Sequence, residues 1–265
     1  MPKPSVLVLR APGTNCDQES AYAFELAGAT AERVHIQQLL DDPTLLVKHQ
    51  ILCLPGGFSY GDDIASGRIL ANQLAHHLSD SLHQFRSAGK LILGICNGFQ
   101  ILIKSGLLLA DDPKAGPAAT LDWNANGRFE DRWVHLQAAS NRSVFLNGIE
   151  QMYLPVAHGE GRFVPRSKEI LDQLETSGQL VLRYCGNGQS ANQPSGDGVL
   201  EYPINPNGSL ANVAGVCDET GRVLGLMPHP ERHIDLTHHP RWTRGEGRDP
   251  GDGLRMFQNA VEFFK

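Results

Sequence analysis

Residues 90–105, KLILGICNGFQILIKS, decide how the chain is read. The apolar run Leu91–Ile95 stops at Gly94-Ile95-Cys96-Asn97-Gly98. It then passes into a helical pattern of Phe99, Ile101, Leu102 and Ile103. Strand, tight turn and helix in that order make a nucleophile elbow with cysteine in place of serine. Gly94 and Gly98 let the chain turn sharply and let strand and helix approach closely. Cys96 then sits at the carboxyl end of a buried strand and the amino end of a helix, a placement that favours a thiolate.

Working outward, Ser5–Leu9 is a short continuous apolar run, the pattern of a parallel strand covered on both faces. The loop Arg10-Ala11-Pro12-Gly13-Thr14-Asn15 follows it. A helix from about Asp17 to Ala27 ends at Gly28. Val34–Ile36 reads as a second strand and Ile51–Leu54 as a third, followed by Pro55-Gly56-Gly57-Phe58-Ser59-Tyr60-Gly61-Asp62-Asp63. A long helical segment, Ile64 to Ala88, leads into the elbow strand. The alternation predicts an α/β fold: a doubly wound, mostly parallel sheet flanked by helices, with its ligand crevice at the carboxyl ends of the strands.

Beyond the elbow helix the pattern changes. Ala110–Asn126 reads as a loop, Trp133–Gln137 and Met152–Ala157 as strands, and Gln179–Val216 as hairpins or irregular connections. Val223–Met227 is another buried strand, running into Pro228-His229-Pro230-Glu231. Leu254–Phe264 has helical spacing. No repeat, low-complexity tract or linker divides the chain, so residues 1–265 are expected to form a single domain.

Composition narrows the function classes. At 265 residues, roughly 70–75% of the unfolded surface can be buried, so neither disulfides nor a metal are needed for stability. The formal net charge of −6 and the lack of a basic run argue against nucleic acid. No apolar stretch is long enough for a membrane span, and MPKPSVLVLR enters a strand too soon for a signal peptide. Five widely spaced cysteines without a CxxC suit a reducing cytoplasm. Cys53, Cys185 and Cys217 read as core, and Cys16 as packing near the first loop. His233, His238 and His239 lack the spacing of a metal site and are expected on an interface or surface loop.

A cysteine nucleophile needs a base, and the base an orienter. His229 follows a buried strand at the crevice. Glu231 lies two residues on, where an extended backbone points both side chains to one side. Glu231 can then fix the imidazole tautomer and leave the other nitrogen to Cys96.

Gly94-Ile95-Cys96-Asn97-Gly98 together with His229-Pro230-Glu231 resembles the catalytic signature of the class I, triad-type glutamine amidotransferases. Pro12-Gly13-Thr14-Asn15-Cys16-Asp17, Gly56-Gly57-Phe58-Ser59-Tyr60-Gly61-Asp62, His158-Gly159-Glu160-Gly161-Arg162, Asn205-Pro206-Asn207-Gly208-Ser209 and Met227-Pro228-His229-Pro230-Glu231-Arg232 narrow the resemblance. Together they are similar to the glutaminase-subunit family of phosphoribosylformylglycinamidine synthase, over essentially Val6 to Phe264. The resemblance implies a Cys96–His229–Glu231 triad and an oxyanion hole of the Gly57 and Asn97 backbone amides. It also implies glutamine as substrate and a synthetase subunit as partner, with a small third subunit in many organisms. No Walker-type loop is present, so ATP and magnesium are expected on the partner and no cofactor in this chain. Gln100, His158, Glu160 and Arg162 are candidate substrate-binding residues. The stretch Thr237–Asp252 is longer than in the short free-standing form and resembles the end of the fused, large form. Two alternatives share these features: another cysteine-elbow hydrolase or chaperone-like protein, and a non-catalytic regulatory or binding subunit retaining the fold.

Overall fold

The computed structural model describes residues 3–112, 114–187 and 198–265. The elements run β1 (Ser5–Arg10), α1 (Asp17–Leu26), β2 (Thr30–His35), α2 (Ile36–Asp41), β3 (Ile51–Leu54), α3 (Arg68–His77), α4 (Ser79–Ser87), β4 (Leu91–Ile95) and α5 (Asn97–Lys104). They continue with β5 (Ala119–Trp123), β6 (Glu130–Ala138), β7 (Gln151–His158), β8 (Glu160–Pro165), α6 (Lys168–Thr176), β9 (Leu182–Cys185), β10 (Val213–Cys217), β11 (Val223–Leu226) and α7 (Leu254–Glu262).

Nine strands form one sheet in the order β2-β1-β3-β4-β11-β10-β9-β6-β7. The first five are mutually parallel; the remaining pairings are antiparallel. The parallel half has the expected doubly wound character. From β1 the chain steps outward to β2, and from β3 it steps the opposite way to β4. Right-handed crossovers in opposite directions put their helices on opposite faces. The strand order therefore reverses between β1 and β3, the place where such sheets open a ligand crevice. The inner strands β3, β4, β10 and β11 are buried at every residue, which explains their unbroken runs of Val, Ile and Leu. Buried apolar side chains form one contiguous cluster across both halves of the sheet.

Several elements depart from expectation. The helix drawn from Ile64 to Ala88 is two helices that break at Leu78, and its first residues belong to the loop after β3. The edge strand β2 begins at Thr30 rather than Val34, because its first four residues are polar or partly exposed and carry no apolar signal. Ala110–Asn126 contains β5, which pairs antiparallel with β8 in a separate two-stranded sheet. The stretch expected to hold hairpins contributes β9 and β10 to the main sheet, and its positions 188–197 lie outside the described residues. His238 is exposed as expected of a surface loop. His233 and His239 are instead buried and pack against Trp133 and Tyr153, so this part of the loop folds back onto β6 and β7.

Candidate active site

The elbow forms as its glycines require. A Cβ on Gly98 would come within 1.8 Å of the Leu54 carbonyl oxygen, and one on Gly94 within 2.6 Å of the Gly98 oxygen. Only bare backbone lets α5 pass this close to β3 and β4. Cys96 at the corner has φ +52° and ψ −106°, a conformation that costs a non-glycine residue on the order of 1–3 kcal/mol. The surroundings enforce it. The Cys96 amide donates to Leu226 O of the neighbouring strand at 2.8 Å, and the Phe99 and Gln100 amides donate to Cys96 O at 3.0 and 3.2 Å. The thiol points toward Ala157 O, 3.6 Å away, on β7.

One strand over, the chain leaves β11 through Met227-Pro228 and reaches His229. Its backbone N–H donates to Pro155 O at 2.8 Å, pinning the segment to β7. His229 Nδ1 meets Glu231 Oε1 at 2.6 Å, with both residues buried. The pair does not form through an extended backbone, as the spacing had suggested. Pro230–Arg232 is a turn of 3₁₀ helix, and the carboxylate folds back under the ring. Among the described residues, His229 Nε2 and Glu231 Oε2 have no hydrogen-bond partner. Burial works against a charge on the imidazole. The carboxylate of Glu231 and the sulfurs of Cys96 and Cys16 outweigh it and hold the His229 pKa well above the usual histidine range.

Gly56 lies where these groups converge. A Cβ there would sit 2.8 Å from His229 Cε1, 3.1 Å from Cys16 Sγ and 3.4 Å from Cys96 Cβ. Cys16 is thus in the site, not merely beside the first loop. Its amide donates to Gly56 O at 3.3 Å. Its sulfur contacts Asn15 Oδ1 and the Arg232 guanidinium, each at 3.2 Å. Cys16, His229 and Glu231 each place one donor atom within 4.8 Å of the others, the only such metal-competent group among the described residues. Burial pushes the Cys16 thiol up to about 11. Arg232, held by Glu19 at 2.8 Å, completes this side. Cys16 follows β1 just as Gly56 follows β3, Cys96 follows β4 and His229 follows β11, and the strand order brings these four ends together.

The loop after β3 is fastened to the elbow by Asn97. Its side-chain oxygen accepts from Ser59 N (3.2 Å) and Ser59 Oγ (2.6 Å). Its amide nitrogen donates to Asp62 Oδ1 (3.0 Å) and Gln100 Oε1 (2.9 Å). Asp62 in turn accepts from Gly67 N, and the Ser66 amide donates to the Glu160 carboxylate at 3.2 Å. Gly57, at φ +130°, stands where a Cβ would meet Asn15 N at 2.7 Å.

Of the four candidate substrate residues, Gln100 and Glu160 have their side chains committed to the protein. Gln100 Nε2 donates to Glu160 O at 2.5 Å, and the Glu160 carboxylate also lies 3.7 Å from Lys104 Nζ. Both hold the elbow helix, the loop and β8 in register. Arg162 pairs with Asp122 at 2.6 Å on a half-exposed flank of the small sheet. His158 is buried, with Nδ1 3.1 Å from Asn124 Oδ1 and Nε2 without a partner among the described residues. Burial, reinforced by the charge of nearby His229, drops its pKa to about 3.

Sequence comparison agrees with this architecture. Residues 3–264 match the family model of the CobB/CobQ-like glutamine amidotransferase domain. The chain is 46% identical over 264 residues to subunit PurQ of phosphoribosylformylglycinamidine synthase from Dehalococcoides mccartyi, covering 99% of this chain and 98% of that one. It is 42% identical over 273 residues to the PurQ subunit of Methanococcus maripaludis strain C5, covering 98% of each. Among solved structures, a chain of the PurLQS complex from Thermotoga maritima superposes with a TM-score of 0.73 at 33% identity, covering 99% of this chain and all of that one. With sequence and fold in agreement over nearly its whole length, the chain belongs to the CobB/CobQ-like glutamine amidotransferase family.

Proposed function

We propose that this chain is the glutaminase subunit of a phosphoribosylformylglycinamidine synthase, in which Cys96, His229 and Glu231 hydrolyse glutamine. The observation that carries the catalytic reading is the buried 2.6 Å contact between His229 Nδ1 and Glu231, beside a cysteine held in an elbow.

Glu231 accepts a hydrogen bond from Nδ1–H and fixes the ring, so Nε2 serves the chemistry. The Cys96 thiolate attacks the side-chain amide carbon of glutamine, forming a C–S bond and a tetrahedral oxyanion. Backbone N–H groups of Gly57 and Asn97 stabilise that oxygen. The imidazolium of His229 gives its proton to the amide nitrogen, the C–N bond breaks, and ammonia leaves a glutamyl thioester. Neutral His229 then takes a proton from water, whose oxygen attacks the thioester. Collapse breaks the C–S bond, releases glutamate and restores the thiolate–imidazolium pair. His158, kept neutral by burial, adds no positive charge that would compete for the thiolate.

Ammonia passes to a synthetase subunit, in an assembly that includes a small third subunit. The synthetase carries ATP and magnesium and converts phosphoribosylformylglycinamide to the amidine. Among the described residues no helix is long and apolar enough to cross a membrane. All five cysteines are free, which supports a reducing, cytoplasmic setting.

The test is reconstitution with the synthetase and small subunits of the same organism, followed by glutamine- and ammonia-dependent amidination. Cys96→Ala should abolish the glutamine-dependent reaction and leave the ammonia-dependent one. Loss of neither would refute the catalytic reading. Failure of the wild-type complex to use phosphoribosylformylglycinamide would refute the acceptor.

A further inference from the structure

The stretch Thr237–Asp252 plays no part in the triad, yet it closes a pocket of about 410 Å³ against β6, β7 and the end of β9. That volume is typical of small-molecule sites, which span about 300–1,000 Å³. Aromatic rings line it: Tyr153 stacks on His135 with centroids 4.4 Å apart, and His239 packs on Tyr153 at 5.5 Å. Its polar groups divide into donors and acceptors. His233 Nδ1–H donates to Tyr153 O at 2.7 Å, so the buried Nε2 is an acceptor, and it has no partner among the described residues. The Arg241 amide donates to His239 Nδ1 at 3.2 Å, which leaves the proton of that ring on Nε2. Asp252 spends one carboxylate oxygen on the Tyr153 amide at 2.8 Å, and its other oxygen makes no hydrogen bond among the described residues. Arg248 has no ion-pair partner among the described residues. Arg241 is matched by Glu246 at 3.6 Å in an exposed pair, a kind worth little.

We propose that this pocket binds a nucleoside 5′-monophosphate. Arg241 and Arg248 match a phosphate in charge and in bidentate geometry. The free oxygen of Asp252 is the acceptor that ribose hydroxyls call for. The rings give a base a face to stack on, with His233 Nε2 and His239 Nε2–H as acceptor and donor. A bare phosphate leaves the rings and acceptors unused, and a nucleoside leaves the guanidiniums unused. The pocket wall also supports the triad. His233 lies two residues past Glu231 and its amide donates to Pro230 O at 3.1 Å, while Tyr153 lies two residues before Pro155, whose carbonyl holds the His229 amide. A ligand seated here therefore bears on the segment that carries the His229–Glu231 pair. That binding alters glutamine hydrolysis rests on the catalytic reading above; that the pocket takes a nucleotide does not.

The experiment is isothermal titration of the full chain with AMP, adenosine and inorganic phosphate as probes. AMP should saturate a single site, bind at least about tenfold more tightly than either fragment, and shift the ring-nitrogen resonances of His239. Arg248→Ala, at an exposed position, should weaken AMP by roughly tenfold or more, whereas Lys168→Ala on α6 should not. Absence of saturable AMP binding overturns the proposal. So does AMP that binds no better than its fragments, or that binds the Arg248→Ala chain unchanged. In the reconstituted complex AMP should change the rate of glutamate release by about fivefold or more, and Arg248→Ala should abolish that response. An unchanged rate despite binding refutes the coupling and leaves the pocket standing. A complex that releases no glutamate even without AMP counts against the catalytic reading alone.

Discussion

Ser59 Oγ donates to Asn97 Oδ1 across 2.6 Å, so the residue after the proposed nucleophile grips the loop carrying the other proposed oxyanion amide. The two proposed donors, Gly57 N–H and Asn97 N–H, belong to different strand–helix connections. Their spacing depends on this side-chain clamp rather than on either loop alone. Asn97→Ala removes it and leaves the buried Ser59 hydroxyl without its acceptor, a loss of about 1–3 kcal/mol for such a group. Displacement of the Gly57 loop by even an ångström should cost about 10²-fold in turnover. The glutamine-dependent rate of the reconstituted complex should fall accordingly, with the ammonia-dependent rate unchanged. A glutamine-dependent rate within twofold of wild type would show that the loop is held without Asn97.

Glu231→Gln separates the two duties of the carboxylate. The amide is nearly isosteric, yet it carries no charge and can present either nitrogen or oxygen to Nδ1. Replacing the equivalent acid in a serine triad lowers kcat by about 10⁴ through the wrong tautomer, and a loss of about 10³–10⁴ is expected here. With Glu231 neutral, the leading cause of the raised His229 pKa is gone and burial dominates. The His229 pKa should therefore fall, and the imidazolium should give way to the neutral ring. NMR of the ring nitrogens across pH checks the direction. A His229 pKa unchanged in the variant would contradict it.

The parallel half of this fold was legible because buried strands announce themselves. Leu91–Ile95 and Ile51–Leu54 are apolar at almost every position, and their following loops carry the glycines that close approach demands. In the antiparallel half, β6 and β7 were legible as strands. The four-residue β9 and the glycine-interrupted β10 were not placed, and β9 finds its partners far away in sequence. At the site, the Cys96 turn and the meeting of His229 with Glu231 were readable from motif and position. Cys16 was not singled out because nothing local distinguishes a buried structural thiol from one that meets an imidazole. Only the strand order reveals that the loops after β1, β3, β4 and β11 end together. Gln100 and Glu160 drew the eye as polar groups near the elbow, but polar groups buried there can be spent on holding the elbow itself.

His158 should make the fold acid-sensitive. Its pKa is about 3 when folded and about 6.5 when unfolded. Between those values the unfolded chain binds the proton that the folded chain refuses. Stability from this residue is therefore intact above about pH 6.5 and declines as pH falls toward 3, by up to about 1.4 kcal/mol per unit. His158→Gln cannot titrate and should flatten the pH dependence of the urea midpoint between pH 7 and 5, even if it lowers the midpoint at pH 7. An unaltered slope would assign the acid sensitivity elsewhere, to other buried histidines such as His49, whose pKa burial also lowers.

Two glycines offer a matched test of why the elbow tolerates no side chain. Gly89 has φ +77° with nothing within 4 Å of a Cβ, so Gly89→Ala meets only the left-handed backbone cost, about 1–2 kcal/mol. Gly98 is the converse: it lies inside α5, and its Cβ would overlap the Leu54 carbonyl oxygen at 1.8 Å. That neighbour is backbone of a central strand and cannot turn aside, so either α5 lifts from β3 or the strand shifts. Both movements carry Asn97 away from the Gly57 loop. Gly89→Ala should therefore lower the melting temperature by a few degrees and leave glutamine hydrolysis unchanged. Gly98→Ala should either fail to accumulate as soluble protein or retain the fold with glutamine-dependent turnover lost. Thermal denaturation together with the glutaminase assay reads both, and a stable, fully active Gly98→Ala chain would mean that the packing of α5 on β3 does not set the geometry of Cys96.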